Sequence, residues 1–233
     1  MDLIVENRLV IIRTVQSGDN TMSRRDREKE FKKKYIAEAA YRLFASSSYE
    51  AVTVEDIARE AEFGKGTLYQ FFESKDDLLA YILEEGLDRI CSEIASECSA
   101  AVDPREALNR LITLQYGFHK DFVHLFLAFK RNTDDLPNPD IAARVRLMLD
   151  RKAALSEQVL ERGIRERVII PADVQKLARA TDCIVKGFVI SGVEIDGAID
   201  DPNKDLELIR MVLSNGILMN TGGDKSGGTA DRQ

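Results

Sequence analysis

No apolar stretch in these 233 residues approaches the roughly 18–20 consecutive residues that a membrane-spanning helix needs. The N-terminus is not patterned as a secretory leader. Ile4-Val5 and Leu9-Val10-Ile11-Ile12 are apolar, but Asp2 and Glu6 precede them and Arg8 interrupts them. The expected location is the cytoplasm, with no membrane partner. Histidine is scarce: His119 and His124 are the only two. On a helix they are roughly 140° apart, so they cannot bind one metal side by side, and no metal site is expected. Of three cysteines, Cys91 and Cys98 share a helical face but lie about 10 Å apart along its axis. That is too far for a disulfide, and the cysteines read as small hydrophobes. There is no glycine-rich phosphate loop and no Gly-x-Ser-x-Gly elbow. Asp134-Asp135 and Asp200-Asp201 read as loop and cap residues, not as paired catalytic carboxylates. Neither an enzyme nor a cofactor is expected. Glycine and proline are sparse and fall mostly between helical patterns, and no alternating strand pattern follows residue 22. The fold class is therefore all-α.

The apolar content of 44% and charged content of 31% suit a soluble globular chain with a sizeable core. The net charge of −7 weighs against nucleic acid until its distribution is considered. Residues 22–75 hold eleven Lys and Arg against ten Asp and Glu, so the acidity belongs to the rest of the chain. Steering depends on local patches more than on the total. Arg24, Arg25, Arg27, Lys29, Lys32, Lys33 and Lys34 form a basic run, interleaved with Asp26, Glu28 and Glu30. Part of this run is expected to meet phosphate.

Apolar spacing places a first helix from about Asp26 to Ser46, with Ile36, Ala39, Ala40, Leu43 and Phe44 on one face. Residues 52–78, VTVEDIAREAEFGKGTLYQFFESKDDL, then carry two short helical patterns around a tight turn at Glu62-Phe63-Gly64. Thr53 caps the first. The second runs from Lys65 to about Phe72, with polar Lys65, Thr67, Tyr69 and Gln70 set among apolar Leu68 and Phe72. A short helix of this kind can lie in a DNA major groove. A fourth helix starts behind the N-cap Ser74 and continues to about residue 97.

These elements resemble the DNA-binding domain of the tetracycline-repressor (TetR) family of transcriptional regulators. The matching residues are Ala39-Ala40, Leu43-Phe44, Thr53-Val54, Ile57-Ala58, Gly66-Thr67-Leu68-Tyr69, Phe72, Ser74-Lys75 and Leu78, over roughly residues 31–82. Ser48 and Glu62 stand where the family usually has glycine, and a left-handed backbone is expected at the Glu62 turn. The resemblance implies a double-stranded operator DNA partner, contacted by Thr53, Lys65, Gly66, Thr67, Tyr69, Gln70 and Lys75. Lys and Gln at such positions can read guanine and adenine edges. Tyr69 and Lys75 would meet phosphate.

The remaining pattern gives helices from Pro104, from Asp140 to about Arg165, from Pro171 and from Pro202, with a loop over 132–139. About nine helices are expected in all. The domain reading is an N-terminal extension 1–22, a helix-turn-helix domain 23–75, a ligand-binding and dimerisation domain 76–220, and a disordered tail 221–233. The resemblance implies a cavity in the second domain for a small-molecule effector. Tyr116, Phe118, His119, Phe122, Phe126, Phe129, Met148 and Phe188 are its candidate lining, and they favour an apolar or aromatic ligand. The last two long helices are expected to form a homodimer through Ala178, Gly187, Ser191, Gly192, Leu206, Ile209, Leu213 and Ile217. The function implied is a repressor released from its operator by the effector. The alternative is a helical interaction protein that keeps the helix-turn-helix for packing alone.

Overall fold

The computed structural model describes residues 23–47, 49–132, 139–196 and 201–218. Eight α-helices are present among them: α1 Arg24–Ser46, α2 Val54–Glu60, α3 Lys65–Tyr69, α4 Lys75–Glu93, α5 Pro104–Asn132, α6 Pro139–Arg165, α7 Val174–Asp196 and α8 Pro202–Ile217. A π-helical turn, Ile94–Cys98, extends α4. One antiparallel bridge, Ile169 to Leu218, is the only β-type pairing among the described residues. The described residues are helical as expected, with eight α-helices among them where about nine helices are expected for the chain. The extension 1–22, the tail 221–233, Ser48 and most of the loop over 132–139 lie outside the described residues.

Helix starts follow local chemistry. Ser23 accepts from the Asp26 amide at 3.2 Å, so α1 opens two residues earlier than its apolar spacing suggests. Ser74 accepts from the Asp77 amide at 3.0 Å, and Asp103 from the Arg105 amide at 2.8 Å. Asp173 and Asp201 do the same for α7 and α8. Each such cap stabilises its helix by about 1 kcal/mol.

The buried residues form one continuous cluster. It runs from Ile36, Ala40 and Phe44 of α1 through Ile57 and Leu68 to α4, and on into α5, α6, α7 and α8. Helix α4 packs on α1, α5 and α6 at once. Its first half is therefore buried nearly all round: Leu78, Leu79, Ala80, Tyr81, Ile82, Leu83, Gly86 and Leu87. Each large aliphatic among them contributes roughly 1.5–3 kcal/mol by leaving water.

The outer face of α7 and α8 differs from expectation. Ala178, Ile209, Leu213 and Ile217 are buried within the chain itself. Helix α8 is held to α5 by Tyr116 donating to Asp205 at 2.7 Å and by Arg210 donating to Thr113 at 2.6 Å. The side carrying positions 209, 213 and 217 is thereby turned inward. The apolar residues left outside are Ile184, Leu208, Met211 and Val212, each at least 41% exposed.

The α4–α5 crossing has no slack. A Cβ on Gly86 would fall 2.6 Å from Cε1 of Phe122. Helix propensity alone favours alanine there by about 1 kcal/mol, yet overpacking at such a site costs roughly 1–3 kcal/mol. The expected outcome is that Gly86→Ala lowers stability in urea unfolding, and that adding Phe122→Leu recovers part of the loss. A Gly86→Ala chain as stable as the parent would show the crossing to be looser than this geometry.

Candidate nucleic-acid interface and interior cavity

Helices α2 and α3 are fixed by their ends. Thr53 and Asp56 form a reciprocal capping box. The Thr53 hydroxyl accepts from the Asp56 amide at 3.1 Å, and the Asp56 carboxylate accepts from the Thr53 amide at 3.0 Å. Thr53 thus works first as a cap. At the other end Glu62 takes φ 55°, the left-handed conformation expected there. The Phe63 amide donates to Ala58 O at 2.9 Å and the Glu62 amide to Arg59 O at 3.1 Å. This closes α2 with a Schellman motif. A glutamate at that position costs about 1 kcal/mol relative to glycine.

Helix α3 is anchored by Leu68, which is buried, and followed by buried Phe72. It ends at Tyr69, not near Phe72, because the Gln70 and Phe71 amides tighten onto Thr67 O and Leu68 O. Lys65, Gly66, Tyr69 and Gln70 stand exposed on its outer side, with Thr67 half-buried beside them. Tyr69 is 51% exposed. The Lys65 ammonium lies 5.9 Å from the centre of the Tyr69 ring and pairs with the Glu55 carboxylate of α2. That hydrogen bond holds Glu55 below the usual carboxylate range and raises Lys65. A Cβ on Gly66 would meet nothing within 4 Å. No packing inside the chain requires glycine at a helical position where it costs about 1 kcal/mol.

Lys75 is placed differently from the five candidates at α3. Its ammonium donates to Tyr49 O at 2.8 Å and Val52 O at 3.0 Å, and lies 4.1 Å from the centre of the Tyr49 ring. Burial lowers its pKa. It ties the α1–α2 connection to the start of α4. In the basic run, Lys33 sits 4.0 Å from the centre of the Tyr81 ring and Lys34 pairs with Glu85 at 3.6 Å. Arg25, Arg27, Lys29 and Lys32 are exposed.

In the second half of the chain a cavity of about 370 Å3 opens between α5, α6 and α7. Phe118, His119 and Phe126 line it as expected, together with Val123, Val145 and Ile190. Four other candidates serve the core. Tyr116 is buried and bonds to Asp205, Phe122 fills the α4–α5 crossing, and Met148 and Phe188 pack against the cluster half-buried. The Phe129 side chain lies outside the described residues.

A polar group in the cavity wall was not anticipated. Asp182 accepts from Lys152 Nζ at 2.5 Å and from His119 Nε2 at 2.9 Å. Burial pushes the Asp182 carboxyl up, but the His119 hydrogen bond and the Lys152 charge outweigh it and hold it far below the usual range. Burial lowers His119, partly offset by Asp182. Burial thus favours the neutral imidazole, and the nitrogen facing the carboxylate, Nε2, is the one that donates. One signal was readable: Lys152 continues the i, i+3/i+4 stripe Ile141, Val145, Met148, Ser156, Leu160, on a helix whose apolar face must be buried. Among the described residues no group of three or more His, Cys, Asp or Glu could hold a metal ion, and no helix could cross a membrane.

The two lysines of the head should separate by experiment. Lys75→Ala removes a charged donor from two carbonyls and should cost about 1–2 kcal/mol of stability. Lys65→Ala, at an exposed pair, should leave the melting temperature within about one degree. Equal melting temperatures for both variants would remove the structural role assigned to Lys75.

Residues 36–82 match the family described as bacterial regulatory proteins, tetR family. The chain is 34% identical over 99 residues to the uncharacterized HTH-type transcriptional regulator YuxN of Bacillus subtilis (strain 168), covering 41% of this chain and 34% of that one. It spans about a third of the length of the first curated relatives it matches. Similar folds include a putative transcriptional regulator from Saccharomonospora viridis in complex with choline. That structure has TM-score 0.71 and 23% identity, with coverage of 82% of this chain and 100% of that one. Another is the transcriptional regulator FadR from Bacillus subtilis in complex with stearoyl-CoA, at TM-score 0.64 and 19% identity, covering 78% and 98%. The matched segment contains α2, α3, the Glu62 turn and the exposed side of α3 described above, so residues 36–82 are a domain of the kind found in the tetR family of bacterial regulatory proteins.

Proposed function

We propose that this chain is a cytoplasmic, homodimeric transcriptional repressor, not an enzyme, that binds double-stranded operator DNA and releases it when a small effector enters the cavity between α5, α6 and α7. The observation that carries the reading is the outer side of α3. Lys65, Gly66, Tyr69 and Gln70 are exposed together while Leu68 anchors the helix from behind. A helix-turn-helix kept for packing alone needs neither the polar set nor the glycine. In the DNA-bound form Lys65 exchanges Glu55 for a base edge or phosphate. Tyr69 and Thr67 offer hydroxyls to phosphate, and Gln70 has the donor–acceptor pair that suits adenine. Thr53 contributes by fixing α2, and Lys75 by fixing the connection that α2 follows.

One reading helix covers one half-site, so specific binding calls for two copies. The exposed apolar residues Ile184, Leu208, Met211 and Val212 on α7 and α8 support a two-fold interface there. Two helices from each copy would form a four-helix bundle. The apolar lining of the cavity supports an apolar or aromatic effector. Such a ligand acts on DNA binding only if it prefers the arrangement of α4 in which the two heads no longer fit one operator.

Two measurements test this. Lys65→Ala and Tyr69→Phe should each weaken binding to DNA from the promoter region of the protein's own gene by roughly 1–3 kcal/mol in a quantitative gel shift. Unchanged affinity in both variants would refute the assignment of α3. Sedimentation at micromolar concentration should give a dimer mass, and Met211→Glu with Val212→Glu should convert it to monomer. A parent chain that sediments as a monomer would refute the dimer.

A further inference from the structure

The cavity is apolar along most of its wall and cationic at one side. Phe118, Phe126, Val145 and Ile190 supply the apolar surface, and Lys152, Lys186, Arg146 and Asp182 supply the charge. Three cationic side chains thus line the cavity with one carboxylate. The charge of Asp182 is already matched by the Lys152 ammonium, and its Oδ1 also accepts from His119, so a cationic ligand would have to compete with Lys152 for it. Lys152 is only 4% exposed. Its ammonium has three donors; one goes to Asp182, and the Phe118 ring lies 5.4 Å from the nitrogen. A buried ammonium in apolar surroundings gains from a further acceptor. Arg146 and Lys186 are exposed where they border the cavity, and so give an incoming anion an attractive approach.

From this arrangement we infer that the effector is an amphiphile with an anionic head and an apolar body. The head binds among Lys152, Lys186 and Arg146, and the body lies against Phe118, Phe126, Val145 and Ile190. The inference rests on the reading of this cavity as the effector site. A volume of about 370 Å3 is at the small end of ligand cavities, which run from about 300 to 1,000 Å3, so the body is a short chain or a small ring system. The bound anion meets a neutral Lys152–Asp182 pair and the surplus charge of Arg146 and Lys186. Recognition of the head should therefore depend on those two exposed residues, with the buried pair kept intact.

The test uses three probes of equal chain length, decanoate, decan-1-ol and decyltrimethylammonium, each below its micellar concentration, titrated into the full chain by calorimetry. Decanoate should bind at least about tenfold more tightly than decyltrimethylammonium. Arg146→Met with Lys186→Met should weaken decanoate by roughly tenfold and leave decan-1-ol within about twofold. Ala142→Trp, which fills the cavity from its half-buried wall, should abolish binding of both. If decyltrimethylammonium binds as well as decanoate, or the double variant binds decanoate unchanged, the anionic head is wrong while the cavity reading stands. If none of the three probes binds, or Ala142→Trp binds them all as the parent does, the cavity itself is not the site and the inference falls with it.

Discussion

No residue from Lys75 to Leu87 is exposed, and this enclosure of α4 imposes a demand on everything packed around it. Besides its apolar side chains, this stretch of α4 carries four carboxylates, and each must be met by a neighbour. Tyr49 donates to Asp76 at 2.5 Å from the α1–α2 connection. Arg144 of α6 reaches Glu84 at 2.7 Å and Asp77 at 3.6 Å. Lys34 of α1 pairs with Glu85 at 3.6 Å. Solvent still reaches these half-buried pairs, whose contribution to stability is modest, about 1 kcal/mol, so their effect is less on stability than on position. They fix the rotation of α4 about its axis relative to α1 on one side and α6 on the other. The head of the molecule and the cavity-bearing half are thus registered against the same helix.

What could be read in the sequence was what is decided locally. Thr53 with Asp56, and Ser74 with Asp77, are capping chemistry completed within four residues, and the turn at Glu62 follows from where α2 must stop. The outer side of α3 was legible for the same reason, since five residues around one buried leucine leave little choice of face. Lys75 was not legible. Its partners, Tyr49 O and Val52 O, lie more than twenty positions earlier, and only the folded connection brings them beneath the ammonium. The phenylalanine series was half legible. Spacing by four shows that Phe118, Phe122 and Phe126 follow one another along one side of a helix, but only the folded α4–α5 crossing decides that Phe122 meets Gly86 while Phe118 and Phe126 line the cavity. Lys152 and Asp182 come from different helices, and neither has a local signature of pairing.

The charge pattern bears on how the reading surface behaves before DNA arrives. Lys65 is held by Glu55 on the same exposed surface. In the proposed complex DNA would therefore have to replace an existing partner of the cation, and Glu55, once released, would face phosphate with a like charge. An arrangement of this kind lowers affinity for any polyanion by a uniform amount and leaves the sequence-dependent part of the contact intact, so it favours discrimination over tightness. The near balance of charge across residues 22–75 acts in the same direction.

A run of rings joins the cavity wall to the head. Phe126 lies 5.6 Å from Phe118, Phe118 lies 5.2 Å from Phe122, and Phe122 lies 5.7 Å from Tyr41 of α1, centroid to centroid. Tyr41 in turn donates to Asp121 O at 3.0 Å, one position before Phe122 in the chain. Contiguity by itself carries no coupling; an effector must find two arrangements of the packing and prefer one. The α4–α5 crossing is suited to that requirement. With Gly86 against the Phe122 ring there is no space for small adjustment, and close-packed interfaces of this kind shift between discrete arrangements in preference to deforming smoothly. A ligand that displaces Phe118 would press on Phe122, and Phe122 cannot yield without moving α4 or Tyr41. Either movement reaches α1, and α1 together with α4 holds α2 and α3 in place.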